Sequence, residues 1–293
     1  MDIKKTITIG AKTKNPLTVK RIGYGTMRLP GEDVWGEPEN RAEALEILKA
    51  ASENGIQFLD TADYYGEDVT NRLITEALYP YKEDLVICTK VGADRGSDKS
   101  WRAYDKPENL RASIDKNLKT LKIDQVQLVH FRVMPGTDTP FEESLNAMFE
   151  MQKEGKILHV GLSNVNEEQL NIALTMGDVS SVENAFGYEQ RTSFSVYGQE
   201  IRGMQEIMDI CTKNDIAMIP FFSLQSSLHK SENKIAEIAK KYSATPAQIN
   251  LAWLLHYSDL ILPIPGTSKL SHFIENVKAF DIQLSEDDMA FLG

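Results

Sequence analysis

Short apolar, β-branched runs alternate along this chain with longer stretches whose apolar residues recur at helical spacing. RIGYG precedes a helical pattern over residues 39–54, and GIQFLD precedes one over 69–78. DLVICTK is followed by a helix over 107–121, where Pro107 suits the first turn. DQVQLVHF leads to 141–154, ILHVGLS to 167–176, and SVENAF to a helix spanning 198–214. IAMIPFF leads to 233–242 and then 246–257, and LILPIPG leads to 271–279. Eight such units, with strand ends near residues 24, 60, 90, 130, 163, 184, 221 and 265, predict a (β/α)₈ barrel. ITIGAKTKNPLTV, ahead of the first unit, alternates like a β-hairpin with Asn15-Pro16 at its turn, placed to plug the barrel bottom. Residues 285–292 read as a terminal helix capped by Ser285. No Pro/Gly/Ser-rich linker divides the chain, so residues 1–293 read as a single domain.

A doubly wound sheet is the competing architecture, and GYGTMR is the segment that would support it. Its third fingerprint glycine is missing, because Arg28 stands there, and LPGEDVWGEPEN follows as loop chemistry rather than a helix. The barrel is preferred.

Composition narrows the partners. The net charge of −11 repels phosphate backbones, so nucleic acid is not expected. No apolar run approaches the ~18 residues that span a bilayer, and MDIKKTITIG lacks a signal-type apolar region. Cys88 and Cys211 fall in a strand and a helix pattern, as buried thiols suited to a reducing cytoplasm.

Barrel chemistry sits at the C-terminal ends of strands. There the chain displays Asp60 and Tyr65 after the second strand, Lys90 after the third, His130 after the fourth, and Ser163 and Asn164 after the fifth. This set suits proton donation to a carbonyl oxygen. A phenol is a poor acid at neutral pH, and a nearby ammonium eases its proton loss. Lys90 can do this for Tyr65, Asp60 can fix Lys90, and His130 can orient the oxygen. No side chain supplies hydride, so a nicotinamide is required.

DTADYYG, ICTKVG, LVHF, HVGLSNVN and IPGTSKLSHFIEN, in this order at strand ends, resemble the motifs of the aldo-keto reductases over essentially the whole chain. The resemblance implies a (β/α)₈ barrel that reduces aldehydes or ketones with NADPH, with NADH also admitted. It carries the catalytic tetrad onto Asp60, Tyr65, Lys90 and His130, and selects Tyr65 over Tyr64. It places Gly25, Thr26, Met27 and Asp60 against the cofactor, and Ser163 and Asn164 on the nicotinamide carboxamide. Glu183 stands where the family usually has Gln, and a carboxylate cannot donate to the carboxamide oxygen. Phe221 is the stacking ring, Leu224 and Ser226 belong to the pyrophosphate clasp, and Gly266, Thr267, Ser268, His272, Glu275 and Asn276 form the adenosine end. Gly266 and His272 replace two usual cations there, which predicts a modest preference for NADPH, with Lys269 compensating in part. GYGTMRLPGEDVWGEP, EALYPYKEDLVICTKVG and ILPIPGTS resemble a bacterial branch that includes pyridoxal reductases.

Plainer roles attach to other residues. Asp63 and Tyr64 read as structural, and Trp35 and Trp101 as loop aromatics over the mouth. His159, His229 and His256 lack metal-ligand spacing, and no metal is expected. A cofactor-binding sensor with little turnover is the alternative function. A hydrolase using Asp60 and Asp63 is disfavoured, because the two carboxylates lie only three residues apart in one loop.

Overall fold

A computed structural model describes residues 3–196, 199–222, 224 and 232–293. Its strands are β1 (Thr6–Ile9), β2 (Leu17–Lys20), β3 (Tyr24–Gly25), β4 (Phe58–Asp60), β5 (Val86–Arg95), β6 (Trp101–Tyr104), β7 (Val126–Arg132), β8 (Ile157–Ser163), β9 (Ser181–Glu183), β10 (Ser193–Val196), β11 (Gln199–Arg202) and β12 (Ala217–Met218). Parallel pairing runs in the order β12-β9-β8-β7-β5-β4-β3. The eighth stave contains Pro263 and Pro265, which lack N–H groups, and only an isolated bridge, Met218 with Ile261, forms there. Leu262 N–H still donates to Met218 O (2.8 Å), and Gly23 N–H donates to Pro263 O (2.9 Å), which closes the ring as a (β/α)₈ barrel.

The helices are α1 (Arg41–Glu53), α2 (Val69–Leu78), α3 (Pro107–Leu121), α4 (Phe141–Lys153), α5 (Glu167–Met176), α6 (Met204–Asn214), α7 (Glu232–Lys241), α8 (Pro246–Tyr257), α9 (Leu270–Lys278) and α10 (Glu286–Leu292). Successive side chains along each strand face opposite ways. Val129, Phe131, Val160 and Leu162 face outward and pack with Leu145, Met148 and Leu170 of the helices. Their neighbours Leu128, His130 and Arg132 face the interior. The β1–β2 hairpin closes the bottom as its pattern predicts: Ile7, Ile9 and Val19 join Phe58, Val86, Leu128 and Leu262 in one buried cluster. Fully burying such a side chain contributes about 1.5–3 kcal/mol relative to exposure. Ser285 caps α10 and pairs with Asp288 in a capping box.

Two departures from the sequence reading bear on the mouth. The helix expected over 198–214 begins only at Met204, after the β10–β11 hairpin. SFSV alternates polar and apolar with a period of two, and it pairs with QEIR instead of entering a helical register. The third strand does not stop at Lys90 but runs on to Arg95 and pairs with β6. Gly92 makes this possible: it has φ +103°, and a Cβ there would lie 2.5 Å from Arg132 O.

Candidate active site

The barrel interior is layered. Above the apolar plug lies a charged layer. Lys90 is fully buried and donates to a carboxylate oxygen of Asp60 and to Thr61 O (3.3 Å), with Glu183 Oε1 also 3.3 Å from its Nζ. Burial disfavours the Lys90 charge, but Asp60 and Glu183 overcome it and hold the ammonium well above its ordinary range. Burial and the nearby Glu183 push Asp60 up, against the pull of Lys90. Glu183 is held below the usual carboxylate range despite burial, by Lys90 and His130. The ligand atoms of Asp60, Cys88, His130 and Glu183 lie within 4.8 Å of one another, and Lys90 already supplies the cation between the two carboxylates.

At the rim an open cleft is walled by Gly25, Met27, Asp60, Tyr65, Arg132, Glu183, Phe221, Leu224 and Gly266, among others. Tyr65 is buried, with Lys90 Nζ 5.2 Å from its ring centroid. Burial raises the phenol, while Lys90 and Arg132 pull it down. The expected effect of the ammonium is present, yet burial outweighs it, so Tyr65 remains a protonated donor at physiological pH. Tyr64 is not part of the cleft wall: it packs edge-on against Tyr65 (5.4 Å) and Trp101 (5.6 Å). Trp35 and Trp101 gather around the Arg95 guanidinium, 5.5 and 4.1 Å from their rings, beside the cleft and not on its wall.

His130 lies elsewhere than expected. It is fully buried one rung below the rim, where Gly161 leaves room for its ring. Its Nδ1 lies 2.9 Å from Glu183 Oε2 and 3.2 Å from Cys88 Sγ, and its Nε2 lies 2.8 Å from Ser181 Oγ. Burial lowers its pKa, against Glu183. Both ring nitrogens face protein atoms, Nδ1 toward Glu183 and Cys88 and Nε2 toward Ser181, and neither is presented at the rim. Arg132, the next inward residue, is what the strand presents at the rim. Sequence reading missed it, although counting two residues on from His130 finds it.

The cofactor candidates divide similarly. Thr26 braces the strand end: its N–H (2.9 Å) and hydroxyl (2.7 Å) both donate to Asp60 O. Ser163 pairs in register with Arg132 and Glu183, level with the cleft. Ser163 Oγ and Asn164 Oδ1 are buried without a hydrogen-bond partner among the described residues. Gly266 has a packing reason to lack a side chain, since a Cβ would lie 2.7 Å from Gly25 O. Thr267 is buried, and its Oγ1 accepts from Lys269 N–H (3.0 Å). Ser268 lies in the adjoining groove with Arg28 and Lys269. His272 is exposed and Asn276 buried. Glu275 turns away to accept from Thr245 Oγ1 (2.6 Å). Lys269 Nζ sits 3.3 Å from Glu43 Oε2, and Leu270 N–H donates to Glu43 Oε1 (3.1 Å). Glu43 was not foreseen, being distant in sequence from α9. Ser226 lies outside the described residues.

The sequence model of the Aldo/keto reductase family matches residues 21–292. Pyridoxine 4-dehydrogenase of Escherichia coli (strain K12) is 37% identical over 292 residues, covering 98% of this chain and 96% of that protein. The thermostable aldo-keto reductase Tm1743, solved with the inhibitor epalrestat, is 29% identical with a TM-score of 0.81, covering 98% of each chain. An aldo-keto reductase from Klebsiella pneumoniae, solved in complex with NADPH, is 22% identical with a TM-score of 0.77, covering 99% of this chain and 94% of that one. The chain belongs to the aldo/keto reductase family.

Proposed function

We propose that residues 1–293 form one barrel domain that reduces a flat aromatic aldehyde of the pyridoxal type to its alcohol with NADPH, in the cytoplasm. The reverse oxidation of the alcohol follows by microscopic reversibility. The observation that carries the reading is the Tyr65 phenol at the cleft wall above the buried Asp60–Lys90 pair. The relative's name, pyridoxine 4-dehydrogenase, supports the substrate class. The two cysteines, Cys88 and Cys211, are free and buried, in accord with the setting.

The residues present fit a nicotinamide dinucleotide. Ser163 Oγ and Asn164 Oδ1 are buried polar atoms in need of partners, and a carboxamide supplies both a donor and an acceptor. Phe221 offers a ring face at the cleft wall, and Gly25 and Gly266 let two backbones approach closely. When bound, the reduced nicotinamide supplies the hydride. Tyr65 then gives its proton to the oxygen, and Lys90 makes that loss easier by favouring phenolate. Asp60 holds Lys90 in place. Glu183, paired with Lys90 and His130, keeps the charged layer near neutrality with Arg132. The test is loss of NADPH absorbance with a panel of aldehydes and ketones. Pyridoxal and other aromatic aldehydes turn over faster than small aliphatic ketones. Better rates with the ketones and none with pyridoxal would remove the substrate assignment.

A further inference from the structure

We propose that Arg132, and not His130, is the side chain that binds and polarises the substrate's carbonyl oxygen beside Tyr65. The inference rests on the carbonyl-reductase reading. Along β7 the inward positions are Leu128, His130 and Arg132, and two residues advance a strand by about 6.6 Å. Each therefore serves a different layer. Leu128 packs with the hairpin plug. His130 is sealed in the middle, its ring nitrogens facing Glu183 and Ser181. Only Arg132 reaches the cleft, where it shares the wall with Tyr65, Asp60, Glu183 and Phe221.

Arg132 is 6% exposed, so its charge acts in a poorly solvated place. Its guanidinium carbon stands 5.5 Å from the centroid of Phe221, the proposed nicotinamide platform. Its field reaches Tyr65, Asp60 and Glu183 alike. A carbonyl lying on the cofactor next to the Tyr65 hydroxyl therefore falls between the phenol and the guanidinium. Gly92 lets the β5 backbone press against Arg132 O and fixes the strand end from which the side chain departs.

The chemistry suits a permanent cation with several donors. As hydride reaches the carbonyl carbon, the C=O π pair collects on oxygen. Arg132 stabilises that developing negative charge through N–H donors and keeps all its protons, while the Tyr65 proton moves to the oxygen. A guanidinium stays charged across neutral pH, unlike an imidazole. His130 is then a positioning residue, acting through Glu183.

Three variants, Arg132→Ala, His130→Gln and Tyr65→Phe, separate the assignments, assayed for kcat, aldehyde KM and NADPH dissociation constant, with melting curves to establish folding. Arg132→Ala lowers kcat by about 10²–10³-fold, the usual loss for one oxyanion donor. It leaves NADPH affinity in place, and added guanidinium restores part of the rate. His130→Gln, folded and cofactor-loaded, loses less than about tenfold. Arg132→Ala that turns over within tenfold of the native enzyme, while Tyr65→Phe is inactive, overturns the Arg132 assignment and leaves the carbonyl-reductase reading standing. A folded His130→Gln as slow as Tyr65→Phe overturns it equally. A native enzyme that oxidises NADPH with no carbonyl compound defeats the underlying reading itself.

Discussion

Lys90→Met removes the one ammonium between Asp60 and Glu183, both buried. Breaking a buried pair by deleting one partner typically costs about 3–5 kcal/mol, because an uncompensated charge stays behind. Arg132 and His130 remain near the carboxylates, which favours the lower end. At ~2 °C per kcal/mol for a chain of this size, the melting temperature falls by roughly 6 °C or more at pH 8. The sign of the pH dependence follows from linkage. Without Lys90, Glu183 loses the cation that holds it low and rises above its unfolded value of about 4, while Asp60, already raised by burial, rises further. The folded variant then binds more protons than the unfolded chain, so its stability is retained at low pH and lost as pH rises through the folded pKa. Glu183 widens the gap to the native protein by up to ~1.4 kcal/mol per pH unit while it titrates, and Asp60 adds to it only above about pH 7, where its carboxyl ionises in the native protein. Calorimetric melts of both proteins at pH 5, 6.5 and 8 read this directly. An equal offset at pH 5 and pH 8, or none at all, would refute the account of the charged layer.

Asp63 is buried, and burial pushes its carboxyl up to about 7, against the nearby Lys116. It therefore contributes stability below pH 4 that is lost as pH rises to about 7, so Asp63→Asn stabilises the protein at pH 8 and much less at pH 5; melts showing the opposite order sink this. Glu43 puts a carboxylate on the first N–H of α9 and on Lys269, close to the proposed adenosine end. Glu43→Gln should raise the ratio of NADPH to NADH affinity several-fold, and titrations giving an unchanged ratio would remove Glu43 from cofactor selection. Lys90→Met should also turn over as slowly as Tyr65→Phe, with the alkaline limb of reduction moved upward, because an isolated phenol keeps its proton to higher pH; a limb that stays in place separates Lys90 from the phenol.

Much of this architecture is legible because strand and helix periods alternate cleanly. Asp60 and Glu183 each end a parallel strand, Lys90 lies near the end of the parallel-paired stretch of β5, and parallel register brings them to one mouth. What the pattern does not carry is depth along a strand. His130 and Arg132 share a face, and only the pairing of Lys90 with His130 and of Arg132 with Ser163 shows which one reaches the rim. The β5–β6 and β10–β11 hairpins are similarly hidden. Their pairing depends on a positive φ at Gly92 and on short alternating segments that a helical reading absorbs. Glu43 joins α9 only through the fold, from 227 residues away in sequence.

Tyr65→Phe beside Tyr64→Phe, assayed for kcat with an aromatic aldehyde at saturating NADPH, tests the proton-donor assignment most directly. Both tyrosines are buried, but only Tyr65 walls the cleft. Loss of a general acid typically costs ~10²–10⁴-fold, or roughly 3–5 kcal/mol of barrier at ~1.4 kcal/mol per decade. Tyr65→Phe should lose that factor and still bind NADPH, since the ring remains. Tyr64→Phe should stay within a few-fold of the native rate. Full turnover by Tyr65→Phe, or its loss in Tyr64→Phe alone, would contradict the assignment of the acid.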